Sequence, residues 1–163
     1  MPLNLFTLSL FHFKTMSILQ IIGIAAGVAV AGLAGLAVMN PSNVAETSED
    51  AVDELKPRRY KTDLQNFVAE AEKIVPTMTT HGQNWKLASS NLYENSASIK
   101  SEVPVVVFTD DLEIKAVTNA DNNEIIVNVH SNSRVGKSDL GENRRHVLQI
   151  LAALDEQFKR AAK

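Results

Sequence analysis

The chain has 163 residues, 45% of them hydrophobic, with no cysteine and a formal net charge of −3. That length holds one small domain. The missing thiols exclude a disulfide framework, a thiolate zinc site and a cysteine nucleophile, and the mild acidity argues against nucleic acid, which is bound through a basic face. Residues 1–39 carry a single formal charge, Lys14, so the chain divides into an apolar leader and a charged remainder.

In residues 1–17, Leu3, Leu5, Phe6, Leu8, Phe11 and Phe13 suit a segment lying along a membrane interface or extending the next helix. Met16, ahead of Ser17, is an alternative start of translation. Residues 18–38 hold no charge. At about 1.5 Å per helical residue they reach about 31 Å, enough to span a hydrocarbon core of about 30 Å. A retained transmembrane helix is the economical reading; Ala29, Val30 and Ala31 leave a cleaved signal peptide as the alternative. Gly23, Gly27, Ala31 and Gly35 share a face at four-residue spacing, which suits close packing against another membrane helix. Lys14 precedes the span and the first basic residue after it is Lys56, a bias that places the domain on the trans side, in a periplasm or thylakoid lumen.

Asn40, Pro41 and Ser42 end the span, and the acidic residues 39–59 read as a solvated linker because they offer so little apolar matter to bury. A domain over 60–163 follows. Leu64, Phe67, Val68, Ala71 and Val75 fall on one helical face, with Thr62 or Asp63 as cap and Pro76 as stop. Trp85, Leu87 and Ser89 predict a short strand, and Ala97, Ile99 and Ser101 a second. Residues 103–108 predict a third, at an edge or bulge because Pro104 cannot donate to a ladder. Leu112, Ile114 and Ala116 alternate with polar residues, as do Ile125, Val127 and Val129, and the asparagine-rich stretch 119–123 turns one strand into the other. Asp111 and Glu113 then face His130 or Arg134 across the polar side. Asp139 with Glu142 forms a capping box, Ser138 being the alternative cap, and Leu140, Val147, Leu151, Leu154 and Phe158 trace a helix to about Arg160. The expected fold is α+β: a small antiparallel sheet packed by an N-terminal and a C-terminal helix, preceded by one transmembrane helix.

The run Ser133 to Arg145, S-R-V-G-K-S-D-L-G-E-N-R-R, resembles the signature of the DUF1499 family, and Phe108, Asp110, Asp111 and Glu113 resemble the strand that precedes it. The resemblance covers roughly residues 63–154. It implies no assigned activity; members occur in bacteria and photosynthetic lineages, which implies a photosynthetic membrane as one setting. The chain departs from the family in lacking the cysteine-containing segment that many members carry ahead of the domain, and in Pro104.

Physically, the motif ends a strand and opens a helix. Gly136 and Gly141 permit unusual backbone angles, and the helix mouth, with Arg134, Lys137, Arg144 and Arg145 nearby, is suited to a phosphate or carboxylate. Gly136-Lys137-Ser138 is no P-loop, since Ser131 stands where the first glycine belongs. On a wheel of about 100° per residue, Arg144 falls inside the apolar stripe and requires a carboxylate from Asp110, Asp111 or Asp139, whereas Arg145 falls on the solvent side. His81, His130 and His146 lack metal-ligand spacing, and the serines lack a nucleophile-elbow context. The candidate partner- or ligand-binding residues are therefore Asp110, Asp111, Glu113, Arg134, Gly136, Lys137, Ser138, Asp139, Gly141, Asn143, Arg144 and Arg145. No catalytic residue, metal or cofactor is expected. The expected function is that of a membrane-anchored accessory or assembly component of a membrane protein complex; the alternative is an anion-binding or hydrolytic enzyme working at the mouth around Ser138.

Overall fold

The computed structural model describes residues 42–51, 53–106, 108–136 and 139–158. The expected span, the segment before it, the row Gly23, Gly27, Ala31 and Gly35, and the motif residues Lys137 and Ser138 lie outside the described residues. Among the described residues no helix is long and apolar enough to cross a membrane.

The described part is an antiparallel sheet with two helices. The strands are β1 (Val44–Glu46), β2 (Arg58–Tyr60), β3 (Thr79–Thr80), β4 (Gln83–Asn84), β5 (Lys86–Leu92), β6 (Ser96–Val105), β7 (Phe108–Asn119) and β8 (Glu124–Ser133); the helices are α1 (Leu64–Ile74) and α2 (Glu142–Gln157). The main sheet runs β1-β8-β7-β6-β5, with β2 also on β8, while β3 and β4 form a separate small hairpin.

The alternation read from the sequence accounts for the centre. Leu112, Ile114 and Ala116 of β7 and Ile125, Val127 and Val129 of β8 are buried on one face, in a register that sets Ile114 opposite Val129. Ala97, Ile99 and Val103 of β6 continue that face. Helix α1 contributes Leu64, Phe67, Val68 and Ala71 to the core, and the Asp63 carboxylate caps it by accepting from the Asn66 amide at 2.7 Å. Pro76 follows in a single 3-10 turn, where its missing amide interrupts no helical bond.

Three expectations are corrected. Residues 39–59 are not simply a tether: Val44–Glu46 pairs with one half of β8 and Arg58–Tyr60 with the other. Between them Thr47 fills the gap, its amide donating to the Val129 carbonyl at 2.9 Å and its hydroxyl accepting from the Val129 amide at 3.0 Å. The segment needs few apolar residues because it is held by backbone pairing and by Arg58. That arginine is buried; its Nε donates to Asp155 Oδ2 at 3.0 Å and its Nη groups to the carbonyls of Lys56 and Glu54, while Tyr60 donates to the same Asp155 at 2.9 Å. Second, the strands expected at 97–101 and 103–108 are one, β6, ending at a tight turn in which Val105 faces Phe108. Pro104 is tolerated because the β5 pairing stops at Glu102, so the proline sits where β6 has a neighbour on one side only.

Third, Arg144 is not in the apolar stripe. The buried positions of α2 are Asn143, His146, Val147, Ile150, Leu151 and Leu154, a spacing of i, i+3, i+4, i+7, i+8 and i+11 that leaves Arg144 exposed. Its partner is Glu54, at 2.8 Å, rather than Asp110, Asp111 or Asp139. The expected phase had counted Leu140, which stands outside the helix with a left-handed φ of 55°, and had omitted the polar Asn143 and His146, which pull the stripe the other way. Arg145 is exposed as expected and pairs with Glu142.

Candidate functional site

The strand-to-helix motif is built around Asn143, which is wholly buried at the start of α2. Its Oδ1 accepts from the Ser131 hydroxyl at 2.6 Å, and its Nδ2 donates to the Asn43 carbonyl at 2.8 Å and to the Ser133 hydroxyl oxygen at 2.9 Å. One amide side chain thus joins β8, the chain leading into β1, and α2. Asp139 turns its carboxylate onto the helix mouth, accepting from the amides of Gly141 at 2.9 Å and Asn143 at 2.6 Å. The expected capping box is not formed: the N-cap is Gly141, without a side-chain cap bond, Asp139 braces the mouth from two residues earlier, and Glu142, the first helical residue, reaches toward Arg145 and His81. Gly141 has φ 87° and Gly136 φ 97°, in the left-handed region that glycine enters without Cβ strain. Because a carboxylate of the chain itself occupies those amides, the mouth offers less to an external anion than its dipole suggests.

Arg134 lies on the exposed side. Its Nε stands 3.0 Å from both oxygens of Asp111, and its Nη2 donates to Asp111 at 2.6 Å and to Glu102 at 2.7 Å. These two acids hold the guanidinium pKa above its ordinary value. The cross-strand pairing expected for Asp111 is thus with Arg134. Glu113 stands opposite His130 in register, yet each has another partner: the Ser98 hydroxyl donates to Glu113 at 2.9 Å and Lys115 lies at 3.3 Å, while His130 Nδ1 is 3.1 Å from Glu46. Partial burial works against ionisation of Glu113, but Ser98, Lys115 and Lys100 outweigh it and keep its pKa below the usual value. These groups lie on the sheet face away from the helices, where two adjoining clefts of about 420 and 360 Å3 share Glu113 and His130.

Beneath the motif is a second cluster of Asp110, His146 and Glu142, of which only Asp110 is among the candidate binding residues. Asp110 and His146 are 2% and 1% exposed. The gap from His146 Nδ1 to Asp110 Oδ2 is 3.6 Å and from Nε2 to Glu142 Oε2 3.7 Å, both too long for hydrogen bonds. Burial raises the Asp110 pKa, opposed by a hydrogen bond from Ser133 and reinforced by Asp139, Glu142 and Asp111. Burial, with Arg145 and His81 nearby, lowers that of His146 to about 4 despite Asp139, so its ring is neutral at pH 7. Trp85 packs against the ring edge-on at 5.9 Å. No hydrogen bond links the pair, and the hydroxyl bonded to Asp110 is not placed on the imidazole, unlike a nucleophilic triad in which histidine stands between serine and acid. Among the described residues no three histidine or acidic side chains converge as a metal site. Asn143 and His146 share the helical face of Ile150, but their polarity hides them from a hydropathy reading of the helix.

The structure therefore brings together Asp139, Gly141 and Asn143 at the helix mouth with Asp110 buried beneath, puts Gly136 on Asn43, sets Asp111, Glu113 and Arg134 on the open face, and leaves Arg144 and Arg145 in separate surface pairs. No curated protein and no solved structure matches the chain. A family model described as protein of unknown function (DUF1499) matches residues 36–154, which takes in β1 and β2 as well as the stretch that carried the resemblance. The chain belongs to the DUF1499 family.

Proposed function

We propose that the chain is a single-pass membrane-anchored binding protein, an accessory or assembly component of a membrane protein complex, with residues 18–38 as the anchor and the domain on the trans side of a thylakoid or bacterial membrane. The observation that carries this reading is the division of the charged residues. Among the described residues, those of the family motif are turned on the protein itself, Arg134 onto Asp111 and Glu102 and Asp139 onto the helix amides. The outer sheet face carries Lys100, Lys115, Glu113 and His130, and both helices contribute their apolar residues to the opposite side. Mixed, solvent-facing charge on a rigid sheet supports orientation and partner choice more than raw affinity. The row Gly23, Gly27, Ala31 and Gly35 would add a contact within the bilayer. The hydrolytic alternative has less support, since Asp139 fills the mouth that would receive an anion.

Extraction of the native protein from its own membrane in mild detergent tests this. The intact chain is expected to migrate in an assembly larger than itself, and Lys100→Glu combined with Lys115→Glu to release it, because both lysines are exposed. Migration as a lone chain in both cases would sink the reading. So would phosphate- or acyl-ester hydrolysis by the purified chain that Ser138→Ala or His130→Ala abolishes.

A further inference from the structure

One end of the sheet exposes apolar side chains. Val106 is 69% exposed and Phe108 53%, at the turn from β6 to β7, and Val135, just beyond β8, is 58% exposed. The β7–β8 ladder ends with Asp110 opposite Ser133, so Val135 leaves β8 at the same end of the sheet as the turn from β6 to β7. The other end of β7 carries a polar turn, with Asn119, Asp121, Asn122 and Asn123, although Leu92, Tyr93 and Val117 are exposed beside it.

What sets the end with Val106 and Phe108 apart is that the start of the described chain lies there. The Ser133 amide donates to the Asn43 carbonyl at 2.9 Å, and Asn43 Nδ2 donates to the Gly136 carbonyl at 2.9 Å. With β1 beginning at Val44, little chain remains to act as a tether. The four Cα steps from Val38 to Ser42 reach at most about 14 Å. The headgroup layer is itself about 5 to 8 Å deep.

We propose that this end of the domain rests on the bilayer, with Val106, Phe108 and Val135 inserted among the headgroups and upper acyl chains. The proposal relies on residues 18–38 being the anchor; the short reach from there then selects lipid over a soluble partner as the occupant of the patch. Insertion of such residues to a depth of about 5 to 10 Å is the usual mode of interfacial contact. Its basis is apolar and not ionic, because Arg134, beside Val135, is already engaged by Asp111 and Glu102.

The absence of cysteine makes site-specific labelling direct. The full chain is reconstituted in phosphatidylcholine vesicles carrying Ala29→Cys, Phe108→Cys or Asn122→Cys, each bearing an environment-sensitive fluorophore, with brominated lipid as quencher. Emission is expected to shift to the blue and to be quenched at 29 and 108, and to stay as in buffer at 122. Val106→Cys, at a more exposed position, is expected to behave as 108 does and guards against a local folding defect. Quenching at 29 with 106 and 108 behaving like 122 overturns the docking and leaves the anchor intact. No quenching at 29 overturns the anchor and the docking with it. Replacing part of the lipid with phosphatidylglycerol is expected to leave the signal at 108 unchanged; a requirement for anionic lipid overturns the apolar mechanism.

Discussion

Arg58 and Arg144 show how burial, not charge, decides what an arginine contributes. Arg58 is 7% exposed and bonded to Asp155 and two carbonyls, whereas Arg144 shares an exposed pair with Glu54. Removing one partner of a buried pair strands the other charge, so Arg58→Ala is expected to destabilise the domain by about 3 kcal/mol, and Arg144→Ala by at most about 1. Urea titration of the two variants checks this; equal losses would contradict it. His146 sets a pH dependence. Its pKa is about 4 in the fold against about 6.5 in the unfolded chain, so between those values the unfolded state binds the extra proton. The stability it confers is complete above pH 6.5 and declines as pH falls toward 4, by as much as about 3 kcal/mol. Asp110, whose pKa is raised, acts in the opposite sense at the acid end, where the fold takes up its proton first. His146→Gln is expected to flatten the slope of stability between pH 6.5 and 4, measured by denaturant titration at several pH values.

At the scale of the element, β8 is the strand on which the fold depends. It is paired along one edge by β7 and along the other by β1 and β2 in turn, with Thr47 bonded to Val129 between them. Asn143 ties α2 to that assembly, so Asn143→Ala would leave the Ser131 hydroxyl without its acceptor in the core. The expected loss is about 3 kcal/mol, since several buried bonds go at once and each stranded group carries a desolvation penalty. Amide exchange should locate the damage: protection of Ser133, whose amide donates to Asn43, is expected to fall more than that of Ile114 in β7. A uniform fall would mean that Asn143 contributes global stability without holding β1. Gly141→Ala introduces a Cβ at φ 87° and is expected to lose about 1 to 2 kcal/mol, read by urea titration.

For the molecule as a whole, the proposed topology makes its own prediction. Protease added outside sealed inverted vesicles is expected to spare the domain, and digestion there would reverse the orientation. Recovery of a mature chain beginning at Gly32 would instead establish a signal peptide in place of the anchor.

What was legible in the sequence was whatever repeats along a local period. The alternation of Leu112, Ile114 and Ala116 with their neighbours, the asparagine turn and the face of Leu64, Phe67, Val68 and Ala71 are consequences of strand and helix geometry, which need only adjacent residues to be seen. The S-R-V-G-K-S-D-L-G-E-N-R-R run was enough to identify the family. Tertiary structure alone decided the rest, because it turns on partners far apart in the chain. The acidic stretch up to Tyr60 became two strands when β8 supplied its backbone partners, 65 to 88 residues away. Asn143 and His146 entered the core because Ser131, Ser133, Asp110 and Trp85 meet them there, and no hydropathy pattern marks a polar residue as buried when its partners lie on other elements.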